Sequence, residues 1–568
     1  MKTLTTTIAV LLSLFASAQI QNWINIPETI SGNSIDLNFH IDSVQMFPGA
    51  KTQTLAFNQY SYLGPTILLN KGEDVQINVE NNIGDTTNVH WHGLHVSPEN
   101  DGGPHTMVME GETWSPLFTV LNEAGTYWYH PHFHGKTGAQ VLRGASGFII
   151  VKDENESALS LPRTYGIDDF PIVVQSIQYD EMNQPMPLGM QDSTIFVNGS
   201  RANYGHEANL NIPAQMVRLR LLNGSGERTF NFGFTNNMSF QIIASDGGLL
   251  NAPVNATRIR ISPGERYEII VDATSMEGES FSLMSFGSEL PSGIQGGPTM
   301  DMGGQGPPMD SPINGIDFDI LHLHVIPATS DAILSISTTL NSLTPFTESA
   351  ANMTRNISMN APNMMSMDGP FTFNGDSFDM EVINQEIPLD NIEVWQITNQ
   401  TMVAHPFHIH DVPFFVIERD GNLPPVFERG KKDVVLVQSM ETVKFITKFE
   451  TFADTVMPYV YHCHILMHED DGMMGQFIVT PLSTNVNEPE VEKSIINIYP
   501  NPAQTSITID VPSEIINVDF HIFNSLGEVC LQGTLSNDKI DISTLPAGVY
   551  YLKLITNEKR YFVKLIKK

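Results

Sequence analysis

An all-β fold is expected for this 568-residue chain, on three observations. Gly (42) and Pro (35) are plentiful and punctuate short apolar runs. Long amphipathic helical patterns are scarce. Four His-x-His pairs, His90/His92, His130/His132, His408/His410 and His462/His464, each stand among residues of strand character. Such composition favours sheets over helices. Residues i and i+2 of a strand face the same side. Each pair therefore presents two imidazoles side by side, spaced for one metal ion or two adjacent ones. Cys463, between His462 and His464, must face the opposite way. One short strand then touches a thiolate site on one side and an all-imidazole site on the other.

The length suggests about four domains of ~150 residues each. Lys2, the apolar stretch Ile8 to Phe15 and Ala16-Ser17-Ala18 read as a secretory signal peptide covering 1–18. That stretch is too short to span a bilayer, and no later one qualifies. The mature protein is expected to be exported, without a transmembrane segment. Residues 19–155 form a first β-domain and 328–481 a third, because the two repeat one layout. GEDVQINVENNIGDTTNVHWHGLHV (72–96) parallels DNIEVWQITNQTMVAHPFHIHDVPF (390–414): a strand, an Asn-rich turn, a His-x-His strand. GTYWYHPHFHGKTGAQVLRGASGFIIV (125–151) likewise parallels PYVYHCHILMHEDDGMMGQFIVT (458–480). Eight imidazoles so placed converge most economically at an interface between these two domains. Between them, 156–327 reads as a second β-domain with strands joined by Gly and Pro turns. Its own pair, His322/His324, reads as ordinary strand histidines. Residues 482–494 are polar and turn-rich, a linker, and 495–568 form a small alternating-β module.

Charge and cysteine count narrow the function. A net charge of −34 disfavours nucleic acid and anionic lipid, and solubility alone accounts for it. The two cysteines, Cys463 and Cys530, lie in different expected domains, so a disulfide is not expected. Cys530 reads as a small buried apolar residue.

A His₂Cys set with a weak axial Met is the blue-copper arrangement, and imidazole alone suits Cu, Zn, Fe and Ni. His468 follows Cys463 by five residues and Met473 by ten, and His405 should face away from the His408/His410 pair, with Pro406 making that geometry approximate. HWHGLH, HPHFHG, HPFHIH and HCHILMHEDDGMM resemble the four copper motifs of the multicopper oxidases (laccases, bilirubin oxidases and cuprous oxidases) over roughly 19–481. The resemblance implies three cupredoxin-like Greek-key β-domains, one type 1 copper, one type 2 copper and two type 3 coppers. By motif position it assigns type 1 copper to His405, Cys463, His468 and axial Met473. It assigns type 2 copper to His90 and His408, and the type 3 pair to His92, His130, His132, His410, His462 and His464. Asp101 and Glu469 match acidic residues that supply protons in the family. His95, His105 and His134 are left as surrounding or surface residues.

The implied reaction is one-electron oxidation of a donor at type 1 copper coupled to four-electron reduction of O2 to water. A zinc hydrolase needs three or four ligands and an open position, not ten histidines with a Cys-His-Met tail. A copper nitrite reductase lacks a full set of eight cluster histidines in one chain. A copper-binding electron-transfer protein without oxidase turnover is the alternative. Phenols and Cu(I) are both candidate donors. Met300, Met302 and Met309, and Met353, Met359, Met364, Met365 and Met367, form clusters of soft thioethers that suit Cu(I), with gap-filling as the plain reading. The module 495–568 resembles a type IX secretion sorting domain, a small β-sandwich, through YPNPAQTSITI, NSLGEV and LPAGVYYLKL. This implies an interaction with the secretion machinery and release or attachment at the cell surface.

Overall fold

A computed structural model describes residues 22–568 except 187–190, 204, 300–310, 364–365, 367–368, 482–496, 511–517, 525–527, 536–537 and 556–559. The expected signal peptide and linker, and Met300, Met302, Met309, Met364, Met365 and Met367, lie outside the described residues. The described residues are 49% strand and 6% helix, as the all-β reading requires. It divides into two units, Met1–Leu482 and Ser483–Lys568.

The larger unit contains three pairs of sheets, each closed over its own apolar core. In the first, a five-stranded sheet runs Thr29–Ser31, Thr66–Asn70, Gly147–Lys152, Gly125–His130, His90–His92. It packs with a second sheet built on Ser34–Val44 and Asp74–Asn82. Alternation fills the space between: Ile35, Leu37 and Phe39 point in while Asp36 and Asn38 point out. The middle pair has a seven-stranded and a six-stranded sheet around Phe170, Leu219, Phe232 and Ile269. The third pair has a six-stranded sheet and a five-stranded one, ordered Gln385–Pro388, Met474–Thr480, Asp454–Cys463, His405–Ile409, Val434–Val437. Its core holds Trp395, Phe407, Phe445 and Tyr461.

One strand departs from the order of the sequence. Asn22–Trp23 lies in the first expected domain but pairs in parallel with Ala208 and Asn209 of the middle one. His322 and His324 serve the middle sheet: their Nδ1 atoms lie 2.9 Å from the hydroxyls of Ser282 and Ser280. Met359 is fully buried in the third core, whereas Met353 is exposed.

The smaller unit has a three-stranded and a four-stranded antiparallel sheet around Ile507, Ile522, Leu552 and Leu565. Cys530 corrects one expectation. It is exposed, on a strand whose residues Val529 to Thr534 are mostly open to solvent, so its strand position overrides the residue type's usual preference. Both cysteines are free.

Candidate metal centre

Backbone pairing puts the four His-x-His segments in register two by two. In the first sheet pair, Gly125–His130 runs antiparallel to His90–His92, with His130 opposite His90. In the third, His408 stands opposite His462 and Phe407 opposite Cys463. Between His90 and His92, Trp91 turns into the core and stacks on Trp114 at 5.9 Å. Cys463 does the same between its histidines, sitting in the third core beside Phe407 and Tyr461. The second histidine of three pairs lies just past a strand end and needs other anchors. Asn88 Oδ1 accepts from the backbone N–H of His132 (2.6 Å), Val460 from that of His410 (3.0 Å) and Pro406 from that of His464 (2.8 Å).

The two halves meet in one imidazole cluster. His132 Nε2 lies 3.1 Å from His462 Nε2, and His464 Nε2 lies 3.3 Å from His92 Nδ1. Three sets emerge whose donor atoms lie within 4.8 Å of one another: His92/His130/His464, His132/His410/His462 and His90/His408/His410. All eight rings are buried. The Nε2 atoms of His90, His408 and His410 have no hydrogen-bond partner. Buried polar nitrogens without partners are costly unless something else satisfies them. Neutral imidazole lone pairs aimed at one space are the donor set that copper takes, so these residues fit that ion.

The outer nitrogens are held in turn, which orients the rings. His90 Nδ1 lies 3.0 Å from the Asp101 carbonyl, and His410 Nδ1 2.8 Å from Asp101 Oδ2. His408 Nδ1 meets the Asp433 carbonyl at 2.8 Å. Glu469 is buried with its oxygens 3.3 Å from His132 Nδ1 and 3.2 Å from His462 Nδ1. Asp470, at the end of the short helix Leu466–Asp470, accepts the backbone N–H groups of Thr137 and Gly138 at 2.9 Å, tying that helix to the helix Thr137–Val141 that follows the HPHFHG segment. Burial, then the neighbouring Glu469, raises the Asp470 carboxyl to about 7. The Asp101 loop comes this close because Gly102 has φ 75° and no Cβ, which would lie 1.9 Å from the Val89 carbonyl.

The second site lies on the far face of the Cys463 strand. Cys463 Sγ is 3.6 Å from His405 Nδ1 and 3.5 Å from His468 Nδ1, with Met473 buried in the same core. Burial pushes the thiol up, so a thiolate here needs a cation beside it. Phe371 packs edge-on against His405 at 4.7 Å. Thr401 was not singled out by its sequence. Its hydroxyl donates to Asn399 Oδ1 at 2.8 Å and accepts from His405 Nε2 at 2.9 Å, leaving His405 Nδ1 free toward the sulfur. Thr401→Val strands that buried N–H, at a cost of ~1–3 kcal/mol. We expect a lower melting temperature and a shifted blue absorption band, with both restored in Thr401→Ser. An unchanged band in the Val variant contradicts this.

Of the other motif histidines, His95 Nδ1 lies 2.6 Å from Asp411 and His105 Nε2 2.7 Å from Gln476 Oε1, while His134 packs on Phe378.

Burial, then the neighbouring imidazoles, holds His92, His408 and His410 well below the usual histidine range. Burial also takes His464 and His468 down to about 3. The unfolded chain therefore binds protons below about pH 6.5 that the folded chain does not. Each such imidazole then removes up to ~1.4 kcal/mol per pH unit as the pH falls toward its folded value. The metal-free protein should lose melting temperature steeply from about pH 6.5 downward. A flat profile between about pH 6.5 and 4 contradicts this.

Comparison with known proteins gives the same picture. Residues 40–156, 172–296 and 345–483 each match a multicopper oxidase family model, and 497–568 match the secretion system C-terminal sorting domain. The multicopper oxidase mco of Staphylococcus haemolyticus (strain JCSC1435) is 34% identical over 438 residues, covering 76% of this chain and 84% of that protein. The cell division protein FtsP of Xenorhabdus nematophila is 28% identical over 453 residues, covering 76% and 86%. Among solved structures, a bacterial laccase-like multi-copper oxidase, CueO of Ochrobactrum sp., superposes with a TM-score of 0.69 at 29% identity. It covers 80% of this chain and 100% of its own, and that protein has oxidase activity towards lignin model compounds and lignosulfonate.

Proposed function

Because this chain belongs to the multicopper oxidase family and is a laccase-like oxidoreductase with O2 as acceptor, we propose that it couples one-electron oxidation of a phenol or of Cu(I) to four-electron reduction of O2. Four copper ions, when bound, supply this redox chemistry: one type 1, one type 2 and two type 3. The proposed type 1 residues are His405, Cys463, His468 and Met473. The proposed type 2 residues are His90 and His408. For the type 3 pair, His92, His130 and His464 take one ion, and His132, His410 and His462 the other. The observation that carries this reading is the convergence of eight buried imidazoles from two sheet pairs next to a separate His₂Cys set.

The chain's own residues have four tasks. Cys463 is covalently continuous with His462 and His464, a bonded electron route from one site to the other. Outer hydrogen bonds fix the tautomers of His90, His92, His130, His408, His410 and His462. Asp101 and Glu469 supply protons, Asp101 beside His90 and His410, Glu469 beside His132 and His462. Burial of the whole cluster keeps bulk water from the reacting oxygen.

Donor identity separates two uses of one scaffold. The laccase-like relative's activity on lignin model compounds favours phenols. The Met-rich segments favour Cu(I), with Met359 assigned to core packing. Oxygen uptake by the copper-loaded protein with Cu(I) and with a methoxyphenol, side by side, distinguishes them. Strong preference for Cu(I) gives the thioethers a role; strong preference for the phenol returns them to packing. The FtsP relatives carry the name of a different role. A fully copper-loaded blue protein with no uptake on either donor supports an electron carrier instead.

The sorting-domain match supports export through a type IX system, followed by release or surface attachment. Among the described residues no helix is long and apolar enough to cross a membrane. Deleting 495–568 is expected to trap the enzyme in the periplasm, assayed by fractionation. Normal secretion without the module contradicts this.

A further inference from the structure

His92 is the exception in the imidazole cluster. His90, His408 and His410 turn Nδ1 outward to oxygen acceptors and keep Nε2 for the interior. His130 and His462 likewise commit Nδ1 to backbone carbonyls, at 2.9 and 3.0 Å. His92 is reversed. Its Nδ1 faces His130 Nε2 at 3.4 Å and His464 Nε2 at 3.3 Å, while its Nε2 faces Asp433 Oδ1 at 3.2 Å. A ring nitrogen facing a carboxylate carries the proton, and the other then offers its lone pair.

Asp433 is held there by a residue of the middle sheet pair, which supplies none of the eight cluster imidazoles. Arg266 is fully buried, and its fork meets both Asp433 oxygens at 2.6 Å. Its remaining N–H groups go to the carbonyls of Thr126 (3.1 Å), Gly264 (3.0 Å) and Asp246 (3.0 Å), so the guanidinium cannot turn. Such two-point pairing fixes carboxylate direction as a lysine cannot. The surroundings are tight: a Cβ at Gly93 would lie 2.5 Å from Asp433 Oδ2 and 2.8 Å from Arg266 Nη2. His92, His408 and Asp433 also form a set with donor atoms within 4.8 Å, which raises the question whether Asp433 is itself a metal ligand. Both its oxygens are already engaged by Arg266, which argues for an orienting role.

We infer that Arg266 and Asp433 are positioning residues of the cluster: the pair forces His92 to offer Nδ1 beside His130 and His464, and the Asp433 carbonyl makes His408 offer Nε2. The ligand-free middle domain thereby controls the type 3 pair. This rests on the copper assignment proposed above.

The test uses full-length copper-loaded Asp433→Ala and Arg266→Lys. Three quantities are measured: copper per chain, the near-ultraviolet absorption of the coupled pair, and the fraction of copper visible by electron paramagnetic resonance. In Asp433→Ala the coupled-pair absorption is expected to fall several-fold and the visible fraction to rise, while the blue band stays. Arg266→Lys should show a smaller change of the same kind, since it keeps the charge but loses the fork. Unchanged coupling in Asp433→Ala overturns the inference. If Asp433→Ala yields no blue folded protein, Arg266→Lys decides on the same readouts: weakened coupling supports the inference and unchanged coupling overturns it. A natural chain with no coupled pair would instead overturn the copper assignment.

Discussion

Cys463→Ser is expected to abolish the blue absorption and bring donor-driven oxygen uptake down to background. Cys463 Sγ lies between two imidazole nitrogens at 3.5 and 3.6 Å, in a pocket that excludes water. A serine hydroxyl there is a hard, protonated oxygen that cannot replace a soft thiolate. The substitution also removes the one side chain that joins the donor-side site to the backbone between His462 and His464. The change is nearly isosteric, so the three-site imidazole cluster should still load. Copper per chain, the visible spectrum and oxygen uptake measured on one preparation separate these effects. Full oxidase activity in Cys463→Ser contradicts the site assignment.

Glu469→Gln should leave the blue band and copper content intact and lower kcat by about 10²–10⁴-fold, the range for a positioned proton donor. The carboxylate is buried, 3.3 Å from His132 Nδ1 and 3.2 Å from His462 Nδ1, and its neighbour Asp470 leads toward Thr137 and Gly138. An amide of the same shape keeps the packing but cannot shuttle protons. Anaerobic reduction of the blue site by the donor should stay fast, because the loss lies in the oxygen half-reaction. A Glu469→Gln enzyme that turns over at the natural rate places the proton supply elsewhere, with Asp101 the next residue to test.

Much of this architecture was legible because strand geometry is simple. The alternation rule put Cys463 on the face opposite its flanking histidines, and it lies there; the structure seats Trp91 the same way between His90 and His92. The internal repeat predicted which segments face each other, since repeated layouts fold into repeated sheets. The rule weakens at strand ends. Two strands stop at Ile409 and Cys463, so His410 and His464 are placed by backbone bonds to Val460 and Pro406, which no periodicity reveals. Thr401, Arg266 and Asp433 were missed for a related reason. Arg266 and Asp433 act on segments far away in the chain, Thr401 on His405 only four residues on, and isolated residues of these types are common on any surface. Cys530 was misread because residue type was weighed above strand position. The early strand Asn22–Trp23 joins a sheet whose partner lies 186 positions later, a pairing set by topology alone.

The most direct test of the central claim is a redox titration of the copper-loaded enzyme against a one-electron donor, with dissolved oxygen and hydrogen peroxide followed together. Four coppers per chain, one O2 consumed per four donor electrons and no peroxide is the predicted result. Released peroxide, or a blue protein that accepts electrons without consuming oxygen, would contradict it.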